Sequence, residues 1–278
     1  MFSRELLANV RPLPVDTEGL VYIDGTLEDG MIQHGKASSP ATGETYDVKH
    51  GYLDLLRSRI GADSVANLTN FLPGAGRGYE PLWRVRSLRL LTGEPFPNEQ
   101  ELRIIKDLLR PTPGGRYLDL GCSAGLYTRG LARDPETSVV GIDISPSMLR
   151  EADRRARRTE TRPSFVRANA QNLPFFDGAF SGAVCGGSLN EFGNPARVLR
   201  ETRRVLEPGG RLAIMGILRA QTRRGRRLQR LLSTGGIKFF DPDELRSLLD
   251  HAGFEPDHLR TDGPVFFAGA TNTLGGVL

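Results

Sequence analysis

From Arg116 onward the chain alternates between two kinds of segment, and that alternation limits the available folds more than any other feature. Apolar runs that read as buried strands (RYLDL, SVVGID, SFVRAN, GAVCGG, RLAIMGIL) are interleaved with segments of helical spacing (LYTRGLA, PSMLREADRRAR, NPARVLRETRRVL, DPDELRSLLDHAG). Strands alternating with helices build βαβ units, and these build a mostly parallel sheet covered on both faces. Two strand-like runs, PDHLRTDG and PVFFAGATN, follow the last helical segment. They predict a hairpin and an antiparallel edge strand. The expected fold is α/β: a Rossmann-like, doubly wound, mostly parallel sheet with an antiparallel C-terminal edge strand.

The N-terminal part reads differently. LVYI, MIQH and TYDV lie among Gly, Asp, Ser and Pro, which predicts a small N-terminal β region over residues 1–57. Residues 58–78, including FLPGAGRGYE, read as a linker. Tyr79–Leu91 and Asn98–Leu109 have helical spacing, the second opening on Asn98 and Glu101 as a capping box and stopping at Pro111 and Gly114-Gly115. The expected organisation is therefore 1–57 for the β region, 58–97 for a linker and lid helix, and 98–278 for the α/β domain.

No run approaches the ~20 apolar residues of a membrane span, and MFSRELLANVRPLPVD has no signal-peptide pattern. Cys122 and Cys185 are far apart in strand-like surroundings. That fits two buried thiols in a reducing cytoplasm better than a disulfide or a metal site. The net charge of +4 is carried almost wholly by arginine, the lysines being Lys36, Lys49, Lys106 and Lys238. Such a balance is a weak pointer to nucleic acid by itself.

The stretch LDLGCSAG, Leu118 to Gly125, joins the first of these strands to a helix through small residues. A turn of this kind lets a ligand approach the main chain closely. A dinucleotide fingerprint would read G-x-G-x-x-G. Here Gly121, Ser123 and Gly125 are spaced two and two, and Leu126 stands next. The following strand still ends in an acid, Asp143. A carboxylate there can accept from both hydroxyls of a ribose, so the expected ligand has a ribose and lacks a pyrophosphate.

The combination resembles the class I S-adenosylmethionine-dependent methyltransferases. In that family the acid of strand 1 and the glycine turn hold the methionine part, and the acid of strand 2 holds the ribose. Asp119, Gly121, Ser123 and Gly125 match the first motif, with Ser in place of the usual middle Gly; Asp143 and Ile144 match the second. RANAQNLPFFDGAF matches a third, with Asn169-Ala170 standing for an acid-Ala pair and Ser181 for the acid after Phe180. An Asn side chain can still hydrogen-bond an adenine edge. RETRRVLEPGGRLAI matches the helix, turn and fifth strand of the family, and the four motifs run in order over residues 117–216. The resemblance implies S-adenosylmethionine as methyl donor, S-adenosylhomocysteine as product and no metal. It implies a cofactor site of Asp119, Gly121, Ser123, Gly125, Asp143, Ile144, Asn169, Ala170 and Gly186, with Arg84 meeting the methionine carboxylate.

GETYDVKHGYLDLL resembles the end of a small zinc ribbon that precedes some methyltransferase domains. By that register the ligands would fall at Ser39 and Thr42, with an earlier pair near Tyr22 and Gly25. None is Cys, and His34 and His50 cannot replace the Cys or His tetrad such a site needs. The expectation is a degenerate, zinc-free ribbon held by Tyr22, Ile23, Tyr46, Val48 and Leu53. Bacterial ribosomal-RNA guanine methyltransferases carry that ribbon, as does a group that includes plant plastid members of undefined substrate. GYEPLWRVR (Tyr79, Glu80, Trp83, Arg84) and GEPFPNEQE match the arrangement of the second group, which is the better fit.

Methyl transfer from a sulfonium is an in-line displacement in which positioning does much of the work. A base is needed only if the acceptor must lose a proton. Relatives often place a His after strand 4; this chain has CGGSLNEF, with Asn190 at that position and Glu191 next. Asn190 could orient an acceptor, and Glu191 could take a proton if desolvation raised its pKa. A turn cap and a solvent-facing acid are the plainer readings of the pair. Trp83 and Tyr79 could wall the cavity or pack as a helix face, and His251 and His258 read as surface or packing residues.

RAQTRRGRRLQR, Arg219 to Arg230, holds six arginines and no acid, and an apolar stretch around Leu231, Leu232, Ile237, Phe239 and Phe240 adjoins it. It could meet an anionic membrane surface, an RNA backbone or a phosphorylated ligand, or form a solvated charged face. The expected function is methyl transfer to a small, apolar or lipid-like molecule. An RNA base methyltransferase, lacking a base-stacking aromatic cluster here, and a cofactor-binding protein without transfer activity are the alternatives.

Overall fold

The computed structural model describes residues 2–12, 16–56 and 96–273. Of the linker and lid helix expected over 58–97, residues 58–95, with Tyr79, Trp83 and Arg84, lie outside them. Strands β1 (Phe2–Ser3), β2 (Val21–Glu28), β3 (Met31–Ser38), β4 (Thr45–Lys49) and β5 (Tyr52–Asp54) come first. Then follow α1 (Asn98–Leu109), β6 (Arg116–Leu120), α2 (Leu126–Leu131), β7 (Ser138–Asp143), α3 (Pro146–Arg158), β8 (Ser164–Arg167) and β9 (Phe180–Gly186). The chain continues through α4 (Pro195–Val205), β10 (Leu206–Ile217), α5 (Arg223–Ser233), α6 (Pro242–His251), β11 (Phe254–Asp262) and β12 (Val265–Asn272).

These strands form one sheet in the order β1-β3-β4-β5-β8-β7-β6-β9-β10-β12-β11, with β2 also paired to β3. β8, β7, β6, β9 and β10 are mutually parallel, and β12 joins β10 and β11 antiparallel. The chain winds outward from β6 to β8 and then in the other direction from β9, so the switch in strand order lies between β6 and β9. Open α/β sheets bind ligands at the carboxyl ends of the strands there. The α/β sheet with an antiparallel C-terminal edge is the fold expected from the alternation.

Local chemistry explains the elements. In β6, Leu118 and Leu120 join one face of the core with Val140, Ile142 and Ala183. Tyr117 joins the other face with Val139, Val184, Phe267 and the α1 residues Ile105 and Leu109. A strand covered on both sides reads as a continuous apolar run rather than an alternating one. α3 starts where the Ser145 hydroxyl accepts from Met148 N with Pro146 following, and α4 repeats the arrangement with Asn194 and Pro195. α6 carries a full capping box between Asp241 and Glu244.

Three expectations need correction. α1 begins behind Pro97 with no side-chain cap, because Glu101 turns into the core and its carboxylate accepts a hydrogen bond from the Tyr127 hydroxyl. β10 opens at Leu206, before the Pro208-Gly209-Gly210 turn, pairs there with Phe180, bulges, and resumes at Arg211. Residues 223–233 form a helix, α5, where the sequence reads as an arginine cluster beside an apolar stretch and not as a helix; the Thr222 hydroxyl caps it by accepting from Gly225 N at 3.0 Å.

The N-terminal strands extend the same sheet. β5 runs parallel to β8, pairing Leu53 with Val166 and Asp54 with Arg167. The Arg167 guanidinium bonds both Asp54 oxygens at 3.2 Å, the Leu56 carbonyl and the Ile144 carbonyl, so one side chain ties β5, β7 and β8 together. At the ribbon positions, Ser39 is fully buried, its hydroxyl donates to the buried Asp16 carboxylate, and Thr42 N donates to the same hydroxyl oxygen. Tyr22 donates to the Gly25 carbonyl at 2.6 Å. Tyr46, Val48 and Leu53 are buried as expected, whereas Ile23 is 49% exposed and holds no core together. Among the described residues no three His, Cys, Asp or Glu side chains cluster as metal ligands would.

Candidate active site

The loop after β6 is shaped by three residues in the left-handed region: Gly121 (φ +64°), Ser123 (φ +49°) and Gly125 (φ +75°). A Cβ on Gly121 would stand 2.5 Å from the Ser188 hydroxyl, so both backbone conformation and close approach call for glycine there. Ser123 adopts a conformation that costs an L-residue about 1–2 kcal/mol. The Ser188 hydroxyl donates to the Gly121 carbonyl at 2.9 Å, pinning the loop to the turn after β9. Sequence reasoning missed Ser188, since nothing in its neighbourhood announces a contact 67 residues away.

Asp119 lies beneath this loop, 2% exposed. Its carboxylate accepts from Thr128 N at 2.9 Å and from the Thr128 hydroxyl at 2.5 Å. Those two bonds fasten β6 to the start of α2.

Asp143 sits half-buried at the tip of β7. One carboxylate oxygen accepts from Ser123 N at 2.9 Å and the other from Ser145 N at 2.8 Å. Burial pushes its pKa up, while backbone N–H groups of Ser145, Ser123 and Ile144 pull the other way; the net direction is upward. A carboxylate has about four acceptor positions, so this one keeps capacity to accept from a ligand hydroxyl. Beside it, Ala168 N bonds the Asp143 carbonyl at 3.2 Å and leads to Asn169. The Asn169 carbonyl oxygen is spent on Gln171 N at 2.9 Å, which leaves its amide nitrogen as the donor toward a ligand. Ala170 is buried beneath this turn, and Ile144 contributes the carbonyl that holds Arg167.

Gly186 ends β9 packed so tightly on Tyr127 that a Cβ would approach the ring to 2.6 Å; Gly187 beside it has open space. The sequence-expected residues Gly121, Ser123, Asp143, Ile144, Asn169 and Gly186 therefore lie along one edge, the carboxyl ends of the central parallel strands. That row fits an elongated ligand with a diol near Asp143, a polar planar group near Asn169 and close main-chain contact at Gly187.

Asn190 does not face this row freely. It is 2% exposed; its amide nitrogen donates to the Ile217 carbonyl (2.8 Å) and the Lys238 carbonyl (2.6 Å), and its oxygen accepts from Ile217 N (2.9 Å). Those bonds use the side chain as a clamp between β9, β10 and the segment after α5. Glu191 is half-buried in the same turn, next to Phe192, whose carbonyl accepts from Lys238 Nζ at 2.9 Å. Cys122 and Cys185 are free and buried, and burial pushes both thiols up, keeping them protonated.

Comparison with known proteins agrees with this geometry. A family profile described as "Methyltransferase domain" matches residues 118–214, from the first parallel strand to the fifth. The chain is 30% identical over 200 residues to a demethylmenaquinone methyltransferase of Thermotoga maritima, covering 63% of this chain and 83% of that protein. It is 33% identical over 138 residues to an uncharacterized chloroplastic methyltransferase of Arabidopsis thaliana, covering 48% of this chain and little more than a third (38%) of that protein. A crystal structure of an S-adenosylmethionine-dependent methyltransferase from Methanosarcina mazei superposes with a TM-score of 0.53 at 27% identity, over 62% of this chain and 98% of that one. With the strand order, the shaped loop after β6 and the acid at the tip of β7, these similarities make the chain an enzyme of the class I S-adenosylmethionine-dependent methyltransferases.

Proposed function

We propose that the enzyme methylates a small, apolar or lipid-like molecule in the cytoplasm. The observation that carries the acceptor class is the similarity to the Thermotoga maritima protein named for demethylmenaquinone, which spans 83% of that protein. The two buried free thiols support a reducing compartment. Among the described residues no helix is long and apolar enough to cross a membrane.

In this reading Asp143 accepts from the ribose hydroxyls, and Ser123 N and Ser145 N hold that carboxylate in place. The Asn169 amide donates to the adenine edge, and Gly186 and Gly187 let the ligand lie against the main chain. Arg84 is kept as the partner of the methionine carboxylate on the resemblance alone. Bound S-adenosylmethionine supplies a methyl group activated by its sulfonium. What remains for the chain is to fix the acceptor in line and to receive a proton when the acceptor must lose one. Glu191 is the group proposed to receive it, and Asn190 is proposed to hold the turn that presents Glu191.

The test is release of S-adenosylhomocysteine from S-adenosylmethionine with three sets of acceptors: isoprenoid-tailed quinols, small polar phenols, and ribosomal-RNA fragments. Turnover confined to the quinols and other apolar acceptors is the expected result. Turnover on RNA alone would replace this reading with the RNA one.

A further inference from the structure

The excursion between β10 and α6 is closed at its neck. Leu218 and Phe240 form a bridge, Arg219 N donates to the Phe240 carbonyl at 2.8 Å, and the Arg219 guanidinium reaches Asp241 at 3.0 Å and Glu244 at 3.1 Å. Within this neck α5 is turned inside out. Its buried residue is Gln229, which bonds Ala220 N and the Leu218 carbonyl, both at 2.8 Å. Its leucines point outward: Leu228 is 46% exposed, Leu231 67% and Leu232 38%. At about 3.6 residues per turn these three share an arc of roughly 100°. Arg223, Arg226, Arg227 and Arg230 share the neighbouring arc, and Arg224 falls among the leucines. Among the described residues none of these five arginines forms an ion pair, although the Arg226 guanidinium turns back to the Gln221 carbonyl at 2.6 Å, and α5 carries no acid.

We infer that α5 is a membrane-contact helix that seats the mouth of the active site on an anionic lipid surface. An ordinary surface helix hides its apolar stripe against the core and shows its polar face. Here a polar pin fixes the helix while the leucine stripe and Arg223, Arg224, Arg227 and Arg230 stay outside the core. An anionic bilayer satisfies both at once: headgroups neutralise the guanidinium groups, and the leucines enter the headgroup–acyl boundary. An RNA backbone would pair with the arginines and leave the leucines in water, and α5 offers no aromatic ring for a base to stack on. The helix is also coupled to the site. Past its C-terminus, the Lys238 backbone and side chain bond Asn190 and Phe192 in the turn that carries Glu191. This inference rests on α5 and does not depend on which acceptor is methylated.

The test is co-sedimentation of the full chain with vesicles of phosphatidylcholine alone and of phosphatidylcholine mixed with phosphatidylglycerol. Binding to the mixed vesicles and little to the neutral ones is expected. Replacing Arg223, Arg224, Arg227 and Arg230 with Gln should lower the partition coefficient about fivefold per residue. Replacing Leu228, Leu231 and Leu232 with Ser should abolish salt-resistant binding. Both variants should bind S-adenosylhomocysteine like the wild type, since none of these side chains lines the cofactor edge. Equal binding to both vesicle types, no binding to either, or full binding by the leucine variant would overturn the inference. Arginine-dependent binding to single-stranded RNA without vesicle binding would assign the helix to nucleic acid instead.

Discussion

The Asp143 carboxylate accepts the backbone N–H of Ser123 at 2.9 Å, so the acid at the tip of β7 and the middle residue of the loop after β6 form one unit. A change in either is transmitted to the other, and the cofactor edge depends on both.

The pH dependence of cofactor binding follows from that unit. Burial holds the Asp143 pKa above its ordinary value of 3.8 in the native protein. The ionised form is therefore disfavoured by folding, and protonation relieves that cost as pH falls, so acid does not unfold the chain through this group. In the proposed reading the ribose hydroxyls donate to the ionised form. Affinity for S-adenosylhomocysteine should thus begin to fall, on acidification, at a higher pH than an ordinary aspartate would give. Calorimetry across the acid range checks this, and an Asp143→Ala variant should lose that pH dependence.

Ser123 occupies a left-handed conformation that glycine adopts freely. Ser123→Gly should raise stability by about 0.5–1 kcal/mol and keep cofactor binding. Gly121→Ala should do the reverse, because its Cβ would meet the Ser188 hydroxyl at 2.5 Å. Urea unfolding of the two variants measures both signs.

Asn190→Ala should cost about 2–4 kcal/mol, since it leaves Ile217 N and the Ile217 and Lys238 carbonyls short of a partner in a buried place. The loss should appear in unfolding experiments without any acceptor present. Unchanged stability with lost turnover would instead mark Asn190 as an acceptor-facing residue.

Glu151 on α3 is 5% exposed and takes hydrogen bonds from Arg154 and Arg155, the first contributing most, which holds its carboxyl down at about 2 against an ordinary 4.5. Protonation favours the unfolded chain here. The contribution, on the order of 2–3 kcal/mol, is complete above the unfolded-state pKa and is lost as pH falls from about 4.5 toward 2. Glu151→Gln should flatten the stability–pH curve in that window, as measured by urea midpoints.

Much of this was legible in the sequence because β6 to β12 are written in runs that local periodicity can read. Leu118, Leu120, Val140 and Ile142 are apolar wherever the sheet is covered, and Ser145, Asn194 and Asp241 each stand before a proline at a helix start. What stayed hidden depends on contacts between distant segments. Leu53 pairing with Val166 merges the N-terminal strands into the main sheet, and no spacing rule foretells a partner so far along the chain. Glu101 reads as a capping residue until Tyr127 claims it, and Asn190 reads as an open polar group until β10 closes over it. In α5 the helical spacing of Leu228, Leu231 and Leu232 stands in the sequence; what the spacing does not show is that this stripe faces outward.

The most direct test of the account is calorimetric titration of the wild type and of Asp143→Ala with S-adenosylmethionine and S-adenosylhomocysteine, with NAD as a control. Binding of the first two but not of NAD is expected. The variant should weaken that binding by about 100-fold or more, since two lost hydrogen bonds to a charged group of about 1.5–3 kcal/mol each amount to roughly two to four decades. A folded wild type that ignores both ligands, or a variant that binds them as tightly as the wild type, would contradict it.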